Sequence, residues 1–221
     1  MPMQVTSLGP LAGGLRLADI SASDRLCELD FEFPLAGGDR PAGVVRDTAL
    51  GEIADVLRRH LPDDDPMRAY ADRIETPSLG DQALRGYLSG SIDVVLRVPD
   101  GADGHRYLVV DYKTNKLGNP DQPLTALDYT QPLMSDAMLH SHYPLQALLY
   151  SVVLHRYLRW RQPGYDPERH LGGILYLYVR GMCGPDTPEI GGVPCGVFTW
   201  RPPAAMIVEL SELLAGQEVA A

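Results

Sequence analysis

The chain has 221 residues, long enough for one sizeable core, and its 45% hydrophobic and 22% charged residues exclude a fibrous or disordered protein. Nineteen basic residues stand against 29 acidic ones, a net charge of −10 that weighs against phosphate binding by this chain alone. The three cysteines (Cys27, Cys183, Cys195) form no CxxC pair, which argues against structural zinc, a four-cysteine iron–sulfur cluster or a disulfide scaffold and fits a reducing compartment.

Residues 1–20 are rich in glycine and proline with weak periodicity and predict an ill-ordered lead or linker, followed by a single domain over 21–221. The start, Met1-Pro2-Met3-Gln4, shows no basic segment followed by an apolar one, and no apolar run approaches membrane thickness. A soluble, cytoplasmic protein with no membrane partner is expected. Leu26 to Phe33 alternates apolar and polar positions and predicts a strand, which Gly37-Gly38-Asp39-Arg40-Pro41 breaks. Asp47 to Leu61 carries Leu50, Ile53, Ala54 and Leu57 on one helical face. Pro62 stops it, and Asp63-Asp64-Asp65-Pro66 reads as a solvated turn rather than a metal site.

Ile92 to Val98 and Arg106 to Lys113 are β-rich runs flanking the turn cluster Pro99 to Gly104, so they predict a β-hairpin. After a polar loop from Thr114 to Thr125, helices are expected over Tyr129–His142 and Leu145–Trp160. Strands follow over Ile174–Val179 and Gly196–Trp200, and a last helix over Ala204–Leu214. The order is mixed α/β around an antiparallel hairpin, with no internal repeat.

Pairing the hairpin strands brings Asp93 near Asp111, and strand alternation puts Asp111 and Lys113 on one face with Tyr112 on the other. Two carboxylates and a backbone carbonyl are hard oxygen ligands of the kind Mg²⁺ takes. An ammonium beside them can orient a water and neutralise charge on a phosphate. The same residues also suit an exposed ion pair on a surface hairpin. Lys113 and Lys116 are the chain's two lysines, all other basic side chains being arginine, which favours a specific need for an amine beside Asp111.

Several motifs occur together in order: Gly90-Ser91-Ile92-Asp93, Leu108-Val109-Val110-Asp111-Tyr112-Lys113-Thr114-Asn115-Lys116-Leu117-Gly118, and Tyr143-Pro144-Leu145-Gln146-Ala147-Leu148-Leu149-Tyr150. Gly172 to Gly181, Thr199 to Pro202 and, upstream, Glu28 to Pro34 accompany them. Over about residues 17–215 this set resembles the C-terminal nuclease domain of the RecB family, the beta subunit of exodeoxyribonuclease V. The resemblance implies a restriction-endonuclease-like (PD-(D/E)XK) α/β fold, a mixed sheet with an antiparallel core hairpin flanked by helices. It implies Asp93, Asp111 and the Tyr112 carbonyl as metal ligands, Lys113 as the catalytic lysine and Glu28 at an acidic position of the active site. Gln146 and Tyr150 match a Gln-x-x-x-Tyr motif and, with Tyr112, would position DNA or the hairpin.

The implied cofactor is Mg²⁺, with Mn²⁺ as a substitute and Ca²⁺ as a non-productive occupant. The implied activity is exodeoxyribonuclease cleavage during double-strand break processing and recombinational repair. The implied partners are DNA, a helicase domain, other subunits of a RecBCD-type complex and a recombinase. Two features depart from the family pattern. A metal-ligand histidine expected upstream of the Glu28 strand is not matched by His60, His105, His140, His142, His155 or His170, and no G-x-x-x-x-G-K-[ST] phosphate loop is present. These departures leave two alternatives, a non-catalytic docking module of the same fold and a stand-alone restriction or repair nuclease.

Overall fold

A computed structural model of the chain describes residues 1–35, 48–101 and 104–216. The glycine-rich break at 37–41, the expected helix start at Asp47 and two residues of the hairpin turn, Ala102 and Asp103, lie outside the described residues. The elements used below are strands β1 (Arg25–Pro34), β2 (Tyr87–Asp100), β3 (Gly104–Lys113), β4 (Leu171–Tyr178) and β5 (Val197–Trp200). The helices are α1 (Glu52–His60), α2 (Gln131–His140), α3 (Tyr143–Arg161) and α4 (Ala204–Leu214). Among the described residues, no helix is long and apolar enough to cross a membrane.

The five strands form one mixed sheet in the order β1-β2-β3-β4-β5. The β2–β3 hairpin is antiparallel from Asp100↔Gly104 back to Val94↔Val110, β3 and β4 are parallel from Tyr107↔Leu171 to Lys113↔Tyr178, and β5 returns antiparallel to β4. Parallel neighbours need a long crossover. The segment between β3 and β4 supplies it and contains both α2 and α3.

By contact, the chain divides into two compact units. The first comprises Met1–Leu29, Ile92–Tyr143 and Arg169–Arg201; the second comprises Asp30–Ser91, Pro144–Glu168 and Pro202 onward. In the first unit, Val94, Leu96, Val98, Leu108, Val110, Leu175, Leu177 and Val197 bury one face of the sheet, with Tyr112 packed against them. Alternation then gives the other face of β3 and β4 to Val109, Asp111, Lys113, Tyr176 and Tyr178.

Residues 1–20 are not the ill-ordered lead expected from their composition. They form short helical turns, and Leu8, Ala12, Leu17 and Ile20 are buried in the same core cluster. The glycines serve tight turns: Gly9, Gly13 and Gly14 take positive φ, and Leu8 N–H donates to the Leu15 carbonyl at 2.8 Å to close the loop between them.

In the second unit, α1 begins at Glu52, after Gly51, and buries Ile53, Ala54, Val56 and Leu57. Helix α3 buries a broad face from Ala147 to Leu158. Its Arg156 ties α3 to α4, with Nε donating to Ser211 Oγ at 2.9 Å and Nη2 to the Ser211 carbonyl at 2.7 Å. The Asp63–Asp65 run is a turn as expected, with Asp65 accepting from Met67 N–H at 2.8 Å to cap the next helical turn. The helix expected over Tyr129–His142 is shorter, since Ala126–Tyr129 is a separate 3₁₀ turn and His142, at φ 55°, breaks the chain before α3.

Candidate active site

The site is built where β2 leaves β3. Regular pairing ends at Val94↔Val110; one more step would set Asp93 opposite Asp111. Instead, the Asp93 Oδ2 accepts the Tyr112 N–H at 3.0 Å, so a side chain takes over the role of the next ladder bond. On the other edge of β3, the Lys113 carbonyl accepts from Val179 N–H at 3.0 Å. Successive residues of a strand direct their backbone polar groups to opposite edges. The Tyr112 carbonyl therefore lies on the edge that β2 has vacated, the same edge as Asp93.

On the face opposite the main core, Lys113 Nζ lies 2.6 Å from Asp111 Oδ2. Asp111 is 4% exposed and Lys113 9%, which removes the surface ion pair as a description of these residues. Burial pushes the Asp111 carboxyl above the usual carboxylate range; the Lys113 hydrogen bond and charge oppose this, and the Asp93 charge adds to it. Asp93 is only partly buried and is thus the carboxylate of the two more open to solvent.

The lysine is enclosed by aromatic rings. Its Nζ sits 3.9 Å from the centroid of Tyr143 and 4.9 Å from that of Tyr176. Tyr178, the register partner of Lys113, is fully buried, and among the described residues its hydroxyl has no hydrogen-bond partner. Burial first, and then the neighbouring Tyr143 and Asp111, push that hydroxyl's pKa up.

Behind the lysine, the chain is stapled. Tyr129 Oη donates to the Asn115 carbonyl at 3.0 Å and accepts from Leu117 N–H, while Arg180 Nε donates to the Thr114 carbonyl at 2.8 Å. Gly118 has φ 86°, and a Cβ there would lie 2.7 Å from Asp128 Oδ1, so both conformation and space require glycine.

Asp93, Asp111, Tyr112 and Lys113 are thus brought together in the first unit. Glu28 is exposed, with φ 51° at an irregular point of β1, and among the described residues no group of three His, Cys, Asp or Glu side chains converges. Gln146 and Tyr150 lie in the second unit and meet each other, Gln146 Nε2 donating to Tyr150 Oη at 3.0 Å. In that unit Tyr150 packs edge-on to Phe31, whose ring lies so close over Gly90 that a Cβ there would sit 2.8 Å from it. The tyrosines around Lys113 were not found from the sequence, where their only signal was their place in the Tyr143-Pro144-Leu145-Gln146 and Leu175-Tyr176-Leu177-Tyr178 runs.

The donor set fits a small, hard divalent cation. Two carboxylates, one of them buried and destabilised by the other's charge, join a carbonyl on the same strand edge. A cation held there would offset both the burial and the repulsion.

No protein-family model matches the chain. It is 60% identical over 214 residues to the RecBCD enzyme subunit RecB of Mycolicibacterium smegmatis, covering 97% of this chain and 19% of that protein. The RecBCD enzyme subunit RecB of Mycobacterium tuberculosis is matched at the same identity and coverage. That of Escherichia coli is 34% identical over 203 residues, 92% of this chain and 14% of its own length. The chain spans about a fifth or less of these relatives.

Proposed function

Because this chain is homologous to RecB subunits along 97% of its own length, we propose that it is the metal-dependent DNA nuclease domain of a RecBCD-type helicase–nuclease. In this reading its fold is the restriction-endonuclease-like one, and it hydrolyses phosphodiesters as an exodeoxyribonuclease in double-strand break repair. The observation that carries the reading is the buried Asp111–Lys113 pair, set beside an Asp93 carboxylate where two strands part.

Asp93, Asp111 and the Tyr112 carbonyl would hold Mg²⁺, or Mn²⁺ in its place. Bound there, such an ion would supply Lewis-acid chemistry toward a phosphodiester. Asp111 fixes the lysine, and Lys113 presents a positive charge to the attacked phosphate and orients the attacking water. The Asp93 carboxylate, by holding the Tyr112 N–H, sets the carbonyl of the same residue at the open edge. The proposed partners are DNA, the helicase portion of the longer protein and the other subunits of the complex.

The test is Mg²⁺-dependent cleavage by the full-length protein with its partner subunits, beside Asp111→Ala and Lys113→Ala. Loss of at least about a hundredfold in kcat is expected for each, the scale of removing one positioned charge or proton-transfer group. Equal cleavage by both variants and the parent overturns the assignment. The net charge of −10 favours a second reading, a non-catalytic docking module that binds partner proteins such as a recombinase. Calorimetry separates the two, since metal binding abolished in Asp93→Ala and Asp111→Ala belongs to the nuclease alone.

A further inference from the structure

We infer that Tyr143 is a positioning residue for the proposed nuclease centre, closing with Tyr176 a two-ring cage that holds the Lys113 ammonium against Asp111. The inference rests on the reading above for its role in cleavage, but the cage itself is a matter of geometry. A lysine head is a compact charge on a flexible four-carbon stem. One carboxylate contact leaves it free to swing about the carboxylate oxygen. Here Asp111 Oδ2 lies on one side at 2.6 Å, and ring faces lie on two others, at 3.9 Å for Tyr143 and 4.9 Å for Tyr176. The face of an aromatic ring carries partial negative charge and attracts a cation, most strongly where water is excluded.

The rings are themselves fixed. Tyr143 stacks on Tyr176 with centroids 5.8 Å apart and planes 29° apart. Its hydroxyl donates to Asn115 Oδ1 at 3.4 Å, and its carbonyl accepts from Tyr176 Oη at 3.5 Å. Tyr176 is fully buried and meets the edge of Phe198 at 6.3 Å. An aliphatic side chain could fill the same space but would offer the ammonium nothing. The cage thus fixes where the positive charge stands, and its loss would lower turnover without weakening DNA or metal binding.

The chain's two lysines make the test direct. Lysine-selective ¹³C labelling of the 221-residue chain gives two side-chain signals, with the exposed Lys116 assigned by Lys116→Arg. The Lys113 Hε resonances should be shifted upfield by the ring currents. Tyr143→Leu should move them back toward the exposed position, and Tyr143→Phe should keep most of the shift. In cleavage by the full-length protein, Tyr143→Leu should lower kcat about tenfold (roughly 1.4 kcal/mol) with KM for DNA unchanged, and Tyr143→Phe should recover most of that loss.

Should Tyr143→Leu fail to fold, Tyr143→Met, which keeps bulk without a ring face, takes its place in both arms. A parent Lys113 signal at the exposed position overturns the inference, as does a leucine variant that keeps both shift and kcat, or a phenylalanine variant as impaired as leucine. If Lys113→Ala and Asp111→Ala cleave like the parent, the nuclease reading falls, while the labelled signals still decide whether the cage exists.

Discussion

Lys113 Nζ and Asp111 Oδ2 lie 2.6 Å apart with both side chains nearly withdrawn from solvent. Removing one member of such a pair strands the other charge, typically at a cost of about 3–5 kcal/mol, whereas removing both costs much less. Lys113→Met should therefore destabilise the chain by about that amount at neutral pH, and Lys113→Met with Asp111→Asn should recover most of it. Urea unfolding of the two variants measures this; a loss below about 1 kcal/mol for the single variant contradicts a buried pair.

His155 is buried, its Nδ1 lies 2.9 Å from Tyr165 Oη, and burial, then the charges of Arg159 and Arg156, lower its pKa from 6.5 to about 4. Between those values the unfolded chain binds a proton that the folded chain refuses, so this group makes stability fall as pH drops from about 6.5 to 4. The full effect is roughly 3 kcal/mol. Urea melts across that window should show the slope, and His155→Gln should flatten it; an unchanged slope would place the lost stability elsewhere.

Tyr178→Phe removes a buried hydroxyl that has no hydrogen-bond partner among the described residues. Leaving such a group unsatisfied costs about 1–3 kcal/mol, so its deletion should stabilise the chain by about 1 kcal/mol or leave it unchanged. Thermal melting decides; a marked drop in Tm would mean the hydroxyl is bonded.

Gly118→Ala places a methyl 2.7 Å from Asp128 Oδ1 at φ 86°. A cost of about 1–3 kcal/mol is expected from the backbone alone. Because Tyr129 and Arg180 staple the preceding residues, the variant should also accelerate amide exchange at Leu117, whose N–H bonds to Tyr129. Parental exchange there would show that the loop absorbs the methyl without moving.

Leu8→Ala tests the packed amino-terminal segment. Leu8 is fully buried, and truncating a buried leucine costs about 2–5 kcal/mol. A loose lead would lose nothing on the same change, so urea unfolding of this variant separates the two descriptions.

The strands and long helices were legible because burial on one face imposes a period. The Arg106–Lys113 strand is an exception, buried on both faces from Leu108 to Asp111; its β-rich run beside a turn cluster marked it, and Asp111 and Lys113 fall on one face as strand geometry requires. The hidden parts depend on contacts that periodicity does not encode. Residues 1–20 bury single side chains from short turns, too short to repeat any pattern. Tyr176 reaches Lys113 through a parallel register with β4, and nothing local to either segment specifies that pairing. The approach of Asp93 to Asp111 was legible from the hairpin, but its bond to the Tyr112 N–H was not, because it depends on β2 leaving the ladder one step early.

The parallel neighbour of β3 has a kinetic consequence. The hairpin that carries Asp93, Asp111 and Lys113 closes over a short turn, whereas Tyr176 arrives only after the crossover holding α2 and α3 has been laid down. Short loops close far sooner than distant segments meet. As the chain leaves the ribosome, the acid and the amine are neighbours well before the strand that will roof them has been made. Until that strand docks, the pair lacks the rings of Tyr176 and Tyr178 and stands more open to water.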